Sequence, residues 1–453
     1  MIPFFTSFEN TGIQFANVIK ELQIGKLLHK SNVRKSRGIS AFEVFQFLFL
    51  LVFQGKNLYR FLNSKYKDQA VSKNTYYRFL DDSTYNWPKF LLLLSAKIVS
   101  VFDGLTKPER VRTLILDDSV ITRSRSKKVE LLAKVYDHVD HLYKKGFTLL
   151  TLGWSDGYSF LPVGFNMLSS AKKSNRYQEI SANIDHRTNG YKNRRQALAK
   201  KSEAAVTLVK KALKAGITAD YVLMDTWFTT EPMLHSLKEE GIDVIGMVKQ
   251  LKQKYIYKGK DYTLPKLRQF MQHETAKSIL GSVIVHTKKH NIPVKIVFVR
   301  NRNKKSEVLY LLSTDCSLSE TEIVRIYGNR WSIEVFFKAS KSFFRLGSEF
   351  QSLSYDAVVC HTAIVFTRFI VLEWIRRNKN DEKTYGELFF MVCDDIHDMA
   401  FTDALKSLMA LFLDQFITFS VDSTKLIKSK LHDWICSQAS FIQCLFADFN
   451  WES

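Results

Sequence analysis

Apolar positions change their spacing along the chain, and the changes mark out its elements. Over the first 105 or so residues they recur at helical intervals. Ser40 followed by Glu43 forms a capping box ahead of the apolar run Phe42 to Phe53, and Ser72 stands where it would cap a short helix ending at Leu80. From Val111 the pattern becomes that of strands: Val111 to Leu116, which meets Asp117-Asp118-Ser119, then a hairpin of Phe147 to Trp154 and Tyr158 to Leu168 around the turn-forming Ser155-Asp156-Gly157. A helix over about 193–215, a strand Tyr221 to Met224 running into Asp225, a helix from Glu231 to Glu240 and a strand Asp243 to Val248 follow. Strand-like pieces then alternate between 250 and 316, including Ser282 to His286, Val294 to Arg300 and Glu307 to Leu312. A long helix is predicted from Ser319 to Phe344, with further apolar helical runs at 357–376 and 402–420.

The order β-β-β-α-β-α-β is that of an RNase-H-like α/β domain, a mixed sheet flanked by helices. Five segments are expected: a helical DNA-binding region over 1–105, the first part of the core over 106–249, a β-rich insertion over 250–317, a core helix over 318–350, and a helical C-terminal region over 351–453 suited to dimerisation.

Charge narrows the function. Against 45 Asp and Glu stand 66 Lys and Arg, a net +21, so a polyanionic partner is expected, and nucleic acid leads. A membrane is not expected, because the apolar stretches 41–53 and 361–375 are short and the second carries His361, Arg368 and Glu373. The start from Met1 to Glu9 has no basic segment before an apolar run, so no secretory signal is expected. Five cysteines without a CxxC pair argue against structural zinc and disulfides and fit a reducing cytoplasm. A Gly-rich phosphate loop and a GxSxG motif are both missing, which disfavours ATP-driven and serine-hydrolase chemistry. His138 and His141 lack further ligands for a metal.

The chemistry concentrates in three places. Asp117 and Asp225 each follow a hydrophobic strand, a position that suits either a turn-former or an acid fixed at a sheet edge. On the helix that follows the insertion, Tyr327, Arg330, Glu334, Lys338 and Lys341 fall within an arc of roughly 80°. Its other sides carry Ile333, Val335, Phe336, Phe337, Phe343 and Phe344. Such a stripe is either a solvated face with a Glu334–Lys338 pair or the wall of a charged site. Trp227, two residues after Asp225, suits a core position or stacking on a displaced base.

Cations cluster in Lys172 to Lys201, including Lys172, Lys173, Arg194 and Arg195, as a solvated basic stretch or a DNA track. The insertion adds Lys288, Lys289, Lys295, Arg300, Arg302, Lys304 and Lys305 to the expected basic surface. Lys73, Asn74, Thr75, Tyr76 and Arg78 are types found on recognition helices and equally on ordinary surface helices.

The spacing Tyr327-x2-Arg330-x3-Glu334-x6-Lys341 resembles the Y-R-E-K signature of the family-four transposases of bacterial insertion sequences, which are DDE enzymes. The resemblance covers about residues 110–350. It implies Asp117, Asp225 and Glu334 as the catalytic carboxylates and the ligands of two Mg²⁺ or Mn²⁺ ions. Asp117 is preferred to Asp118 because Ser119 follows two positions on. Tyr327, Arg330 and Lys341 are implied to bind phosphates beside the scissile bond, and Lys338 is placed to help. The resemblance further implies end cleavage through a hairpin intermediate, joining of 3′-hydroxyls to target DNA, a homodimeric complex on double-stranded DNA, and a nucleoid-associated place in the bacterial cytoplasm. A related nuclease without strand transfer, or a non-catalytic DNA-binding descendant, are the alternatives.

Overall fold

The computed structural model describes residues 14–378 except 65–66, 68–69, 108, 138–139, 251–252, 274–277, 302–303, 305 and 351, together with 382–396, 406, 409, 421–437 and 446. The start of the chain, His138, Arg302, Lys305, Cys444 and nearly all of the predicted helix at 402–420 therefore lie outside the described residues.

The N-terminal part is helical: α1 (Gln14–Glu21), α2 (Ile24–Lys30), α3 (Ala41–Leu50), α4 (Leu58–Leu62), α5 (Lys73–Leu80) and α6 (Trp87–Leu105). The capping box at α3 forms in both directions, Glu43 N–H donating to Ser40 Oγ at 3.1 Å and Ser40 N–H to Glu43 Oε2 at 2.9 Å. Ser72 precedes α5, but its hydroxyl makes no capping bond there. Tyr76 points inward, its ring stacked on Phe47 at 4.5 Å, and so drops out of the set of α5 residues able to reach DNA.

The sheet opens with β1 (Thr113–Thr122), β2 (Ala133–Asp137), β3 (Leu142–Ser155) and β4 (Phe160–Leu168). Then come α7 (Asn189–Ala197), α8 (Lys201–Lys214), β5 (Tyr221–Met224), α9 (Glu231–Glu239) and β6 (Asp243–Val248). The stretch 250–316 supplies β7 (Lys254–Tyr257), β8 (Lys260–Thr263), α10 (Leu264–Leu267), β9 (Gln272–His273), β10 (Ile279–Thr287), β11 (Pro293–Arg300) and β12 (Val308–Ser313). Helices α11 (Glu320–Gly328), α12 (Trp331–Ser342), α13 (Tyr355–Asn378), α14 (385–396) and α15 (Val421–Cys436) complete the described chain.

All twelve strands join one mixed sheet in the order β2-β3-β1-β5-β6-β12-β11-β10-β7-β8, with β4 on β3 and β9 on β10. Its centre is parallel, β1 with β5 and β5 with β6, while β12 adds antiparallel to β6. Buried strands supply the core: all nine residues of β4 are inside, and β5 contributes Val222, Leu223 and Met224. The mixed sheet with flanking helices is the expected fold class.

Strand β2 and the start of β3 at Leu142 have no counterpart in the pattern reading, and three further elements differ from it. Strand β1 does not stop at Asp117, because β3 pairs with it antiparallel from Thr113↔Ser155 through to Thr122↔Gly146. The helix over 193–215 is two helices, parted at 198–200. The long helix from Ser319 starts with a true capping box, Ser319 with Glu322, but is interrupted at Asn329–Arg330. There the N–H groups of Asn329, Arg330, Ser332 and Ile333 donate three residues back, to Ile326, Tyr327, Asn329 and Arg330. Such bonds tighten the turn and shift the register of α12 against α11.

Two compact units form. One gathers 1–21, 50–71 and 383–453; among its described side chains Phe53 packs on Phe389 at 5.4 Å. The other comprises 22–49 and 72–382 and contains the whole sheet. Within the second unit, α13 is long and apolar enough to cross a membrane by length and composition, yet its apolar window is entirely buried. It packs as a core helix on α6 and β4.

Candidate active site

The parallel pairing of β1 with β5 runs from Thr113↔Tyr221 to Leu116↔Met224. Asp117 and Asp225 are the next residues on the two strands, so the register alone makes them neighbours at the carboxyl end of the parallel pair. Strands there lie about 4.8 Å apart, and open α/β sheets bind ligands at that edge. Asp225 is a turn-former as well as an acid: its Oδ1 accepts the N–H groups of Trp227 at 2.9 Å and Phe228 at 3.3 Å, which fixes the carboxylate at the strand end.

Arg330 closes the site from the α11–α12 junction. Its Nη1 donates to Asp117 Oδ2 at 3.1 Å and its Nη2 donates to Glu334 Oε1. Its guanidinium also lies 5.9 Å from the Tyr327 ring. Despite the break in the helix, Tyr327, Arg330 and Glu334 thus remain together beside Asp117.

The electrostatics are those of a crowded anionic site. Burial, opposed by the Arg330 charge and the Asp118 N–H bond and reinforced by the charges of Asp225 and Asp118, pushes the Asp117 carboxyl up to about 7. Burial likewise raises the Tyr327 hydroxyl to about 12, with Arg330 pulling the other way. Burial opposes the Arg330 charge, but Tyr327, Asp117 and Glu334 outweigh it and hold the guanidinium above its usual value.

Asp118 has a different partner. It follows Asp117 on a strand and so faces the other side of the sheet, where Lys201 Nζ binds its Oδ1 at 2.9 Å. The same ammonium sits 4.0 Å from the centroid of Trp227.

A folded-state carboxyl near 7 against an ordinary 3.8 lowers stability as pH rises between the two values, since the folded chain then holds a proton the unfolded chain has lost. Asp117→Asn removes that cost. The metal-free variant should melt above wild type at pH 8, by on the order of 1–3 kcal/mol, and level with it near pH 4. Thermal unfolding at the two pH values checks this, and a variant less stable at pH 8 would contradict the crowded-anion account.

Among the other expected site residues, Lys338 and Lys341 are exposed on α12, and Lys341 lies within electrostatic range of Asp137 and Lys144. Lys172, Lys173 and Arg195 are exposed as well. Arg194 is a correction. It is 3% exposed, and its guanidinium is held by both Glu130 oxygens at 2.7 and 2.6 Å and by Asp356 at 2.8 Å. It is a structural cation and not part of a DNA track. Lys295 is likewise engaged, by Glu320 at 3.0 Å and the Leu318 carbonyl.

Trp227 is 53% exposed, so the core reading of this residue does not hold. Pattern reading missed Trp331, 64% exposed immediately after Arg330. Helical spacing sets Trp331 about 20° beyond the edge of the polar stripe, a signal that its apolar type hides. It also missed the pinning of Asp118 by Lys201, which depends on where α8 begins.

The chemistry of the donor set fits a hard divalent cation. Asp117 and Asp225 supply carboxylate oxygens whose mutual charge is only partly offset, and the Arg330 guanidinium stands where a cation would relieve it. Among the described residues no three acidic, histidine or cysteine side chains converge closely enough to hold a metal. Glu334 would have to part from Arg330 to complete such a set.

No curated protein matches the chain. Two family models do: the DDE superfamily endonuclease over residues 44–261 and the transposase DDE domain over 185–369. Asp117 lies in the first match, Glu334 in the second and Asp225 in both. Together with a mixed sheet consistent with the RNase-H-like fold, these matches support a DDE-superfamily transposase, a metal-dependent nuclease class that binds DNA.

Proposed function

We propose that this chain is a transposase of the Y-R-E-K type that binds the terminal inverted repeats of its element, cuts at the ends and joins the 3′-hydroxyls to target DNA. The observation that carries the reading is the meeting of Asp117, Asp225, Arg330 and Glu334, from two neighbouring strands and a distant helix, at the carboxyl edge of the sheet.

In this reading Asp117, Asp225 and Glu334 would hold two Mg²⁺ or Mn²⁺ ions, which would supply activation of the attacking oxygen and charge stabilisation of the leaving one. The chain's own residues position the DNA. Arg330 presents a planar fork that carboxylates occupy in the free protein and that a phosphate satisfies equally well, so it passes from the acids to the scissile phosphate. Tyr327 lends its hydroxyl beside that fork, and burial raises it further above the neutral range. Lys338 and Lys341 extend the phosphate contacts along α12. The exposed rings of Trp227, two residues after Asp225, and Trp331, immediately after Arg330, can receive bases that leave the stack. Two ends held together call for a homodimer on DNA.

The test is a labelled duplex carrying the end of the genomic element that encodes the chain, incubated with Mg²⁺, Mn²⁺, Ca²⁺ or EDTA. Cleavage at the end with the first two alone, and joining of a pre-cut end to a plasmid, are expected. Cleavage without joining would leave the nuclease alternative standing, and cleavage in EDTA would remove the metal-dependent reading altogether.

A further inference from the structure

The β2–β3 hairpin carries a surface that the chemistry at the acids does not use. Register sets Lys134 directly opposite Lys145 and Tyr136 directly opposite Tyr143, so all four lie on one face. The rings of Tyr136 and Tyr143 meet edge to face at 5.1 Å and are 38% and 63% exposed. Lys134 Nζ lies 4.9 Å from the Tyr143 ring, and Lys145 Nζ lies 5.0 Å from Tyr177, itself 49% exposed. A bridge from Ala133 to Arg176 brings the segment of Lys172 and Lys173 alongside β2.

Charge distinguishes this face from its reverse. Lys144, on the other side of β3, is neutralised by Asp137 at 2.8 Å and by Asp140. Among the described residues neither Lys134 nor Lys145 has a carboxylate within ion-pair distance. Like charges set directly opposite each other on a strand pair are destabilising, and exposed tyrosines gain nothing from water. Both costs are offset by a polyanion that offers phosphates to the lysines and phosphate or sugar surfaces to the tyrosines. A second copy of the chain fits badly, because a two-fold contact would press the same lysine pair against itself.

Position supports the choice. Strand β3 is continuous from Tyr143 to Thr151, and Thr151 lies opposite Asp117. Those eight steps span about 27 Å, close to eight base pairs of duplex.

We infer that the β2–β3 face of Lys134, Lys145, Tyr136 and Tyr143 is a second DNA contact, gripping the duplex backbone roughly one turn from the catalytic acids. The inference rests on the reading of DNA as substrate, and the experiment separates the two. Fluorescence anisotropy would follow the full chain binding a labelled duplex of about 40 base pairs of unrelated sequence across a salt series. In Lys134→Ala/Lys145→Ala the slope of log K against log salt should fall by about 1.8, with a melting temperature close to wild type, relief of the like-charge pair offsetting loss of the Lys145 bond to the Ser126 carbonyl at 3.2 Å. In Tyr136→Ala/Tyr143→Ala affinity should drop several-fold with the slope unchanged, as hydroxyl and ring contacts to phosphate and sugar are lost.

Wild-type binding with both variants indistinguishable from it would overturn the second contact and leave DNA as the substrate. No wild-type binding at any salt would overturn both readings. Melting well below wild type in both variants would make the four residues structural and overturn the contact, as would a change of oligomeric state in place of a change in slope.

Discussion

Single-turnover cutting of an element-end duplex in Mg²⁺ should fall about 10³-fold or more in Asp225→Asn and in Glu334→Gln, with duplex affinity preserved. The amide variants isolate charge from shape. In Asp225→Asn the amide oxygen can still accept from the N–H groups of Trp227 and Phe228, so the turn after β5 survives while a unit of negative charge at the acid pair is lost. In Glu334→Gln the amide oxygen can still accept from the Arg330 fork, so α12 keeps its tie to the site. Neither substitution removes a cation, and electrostatic attraction for DNA should be equal to wild type or slightly stronger. A parallel calorimetric titration with Mn²⁺ should show weaker binding in both, a readout independent of turnover. If Asp225→Asn cut as fast as wild type, the carboxyl edge of β1 and β5 would not be the catalytic centre, and the meeting of four motif residues there would need a structural explanation.

How far the site was legible depended on whether a residue's partners were close along the chain. Strands β5 and β6 were read to their ends, since each is a short apolar run stopped by polar sequence. Strand β1 was cut short because Asp117 and Asp118 look like a strand end; pairing with β3, which no local pattern reports, carries it on to Thr122. The break at Asn329 was invisible for the same kind of reason, there being no proline to announce it. The stripe from Tyr327 to Glu334 survived the break, so these side chains still share one side although the helix is not continuous.

Adjacency of Asp117 and Asp225 required the parallel register. Arg194 was misjudged because Glu130 and Asp356, which bury it, lie far away on either side in sequence. Local composition identifies a basic segment, but only tertiary pairing decides which of its cations remain free to meet a phosphate.

The largest stability effect expected in the chain comes from Arg368. This side chain is fully buried on α13, the helix whose length and apolarity alone would suit a bilayer. It donates to the carbonyls of Leu48 at 2.6 Å and Phe49 at 2.9 Å, in the last turn of α3, and to Phe344 at 3.3 Å, just beyond α12. Both Glu349 oxygens complete its shell at 2.6 and 3.0 Å. One guanidinium thus closes the end of α3 and ties it to the segment that follows α12.

Arg368→Ala would leave a buried carboxylate unpaired and three carbonyls without their donor, a loss of about 3–5 kcal/mol at neutral pH. Burial already raises the Glu349 carboxyl against the pull of Arg368, so without the arginine it should take up a proton more readily. The deficit measured by urea unfolding should therefore be larger at pH 8 than at pH 5. Arg368→Met/Glu349→Leu, which removes both charges and keeps the volume filled, should recover much of the loss. A single variant as stable as wild type, or a double variant no better than the single, would mean that the pair does not hold α3 against the end of α12. The approach of Arg330 to Asp117 would then have to be stabilised from elsewhere in the core.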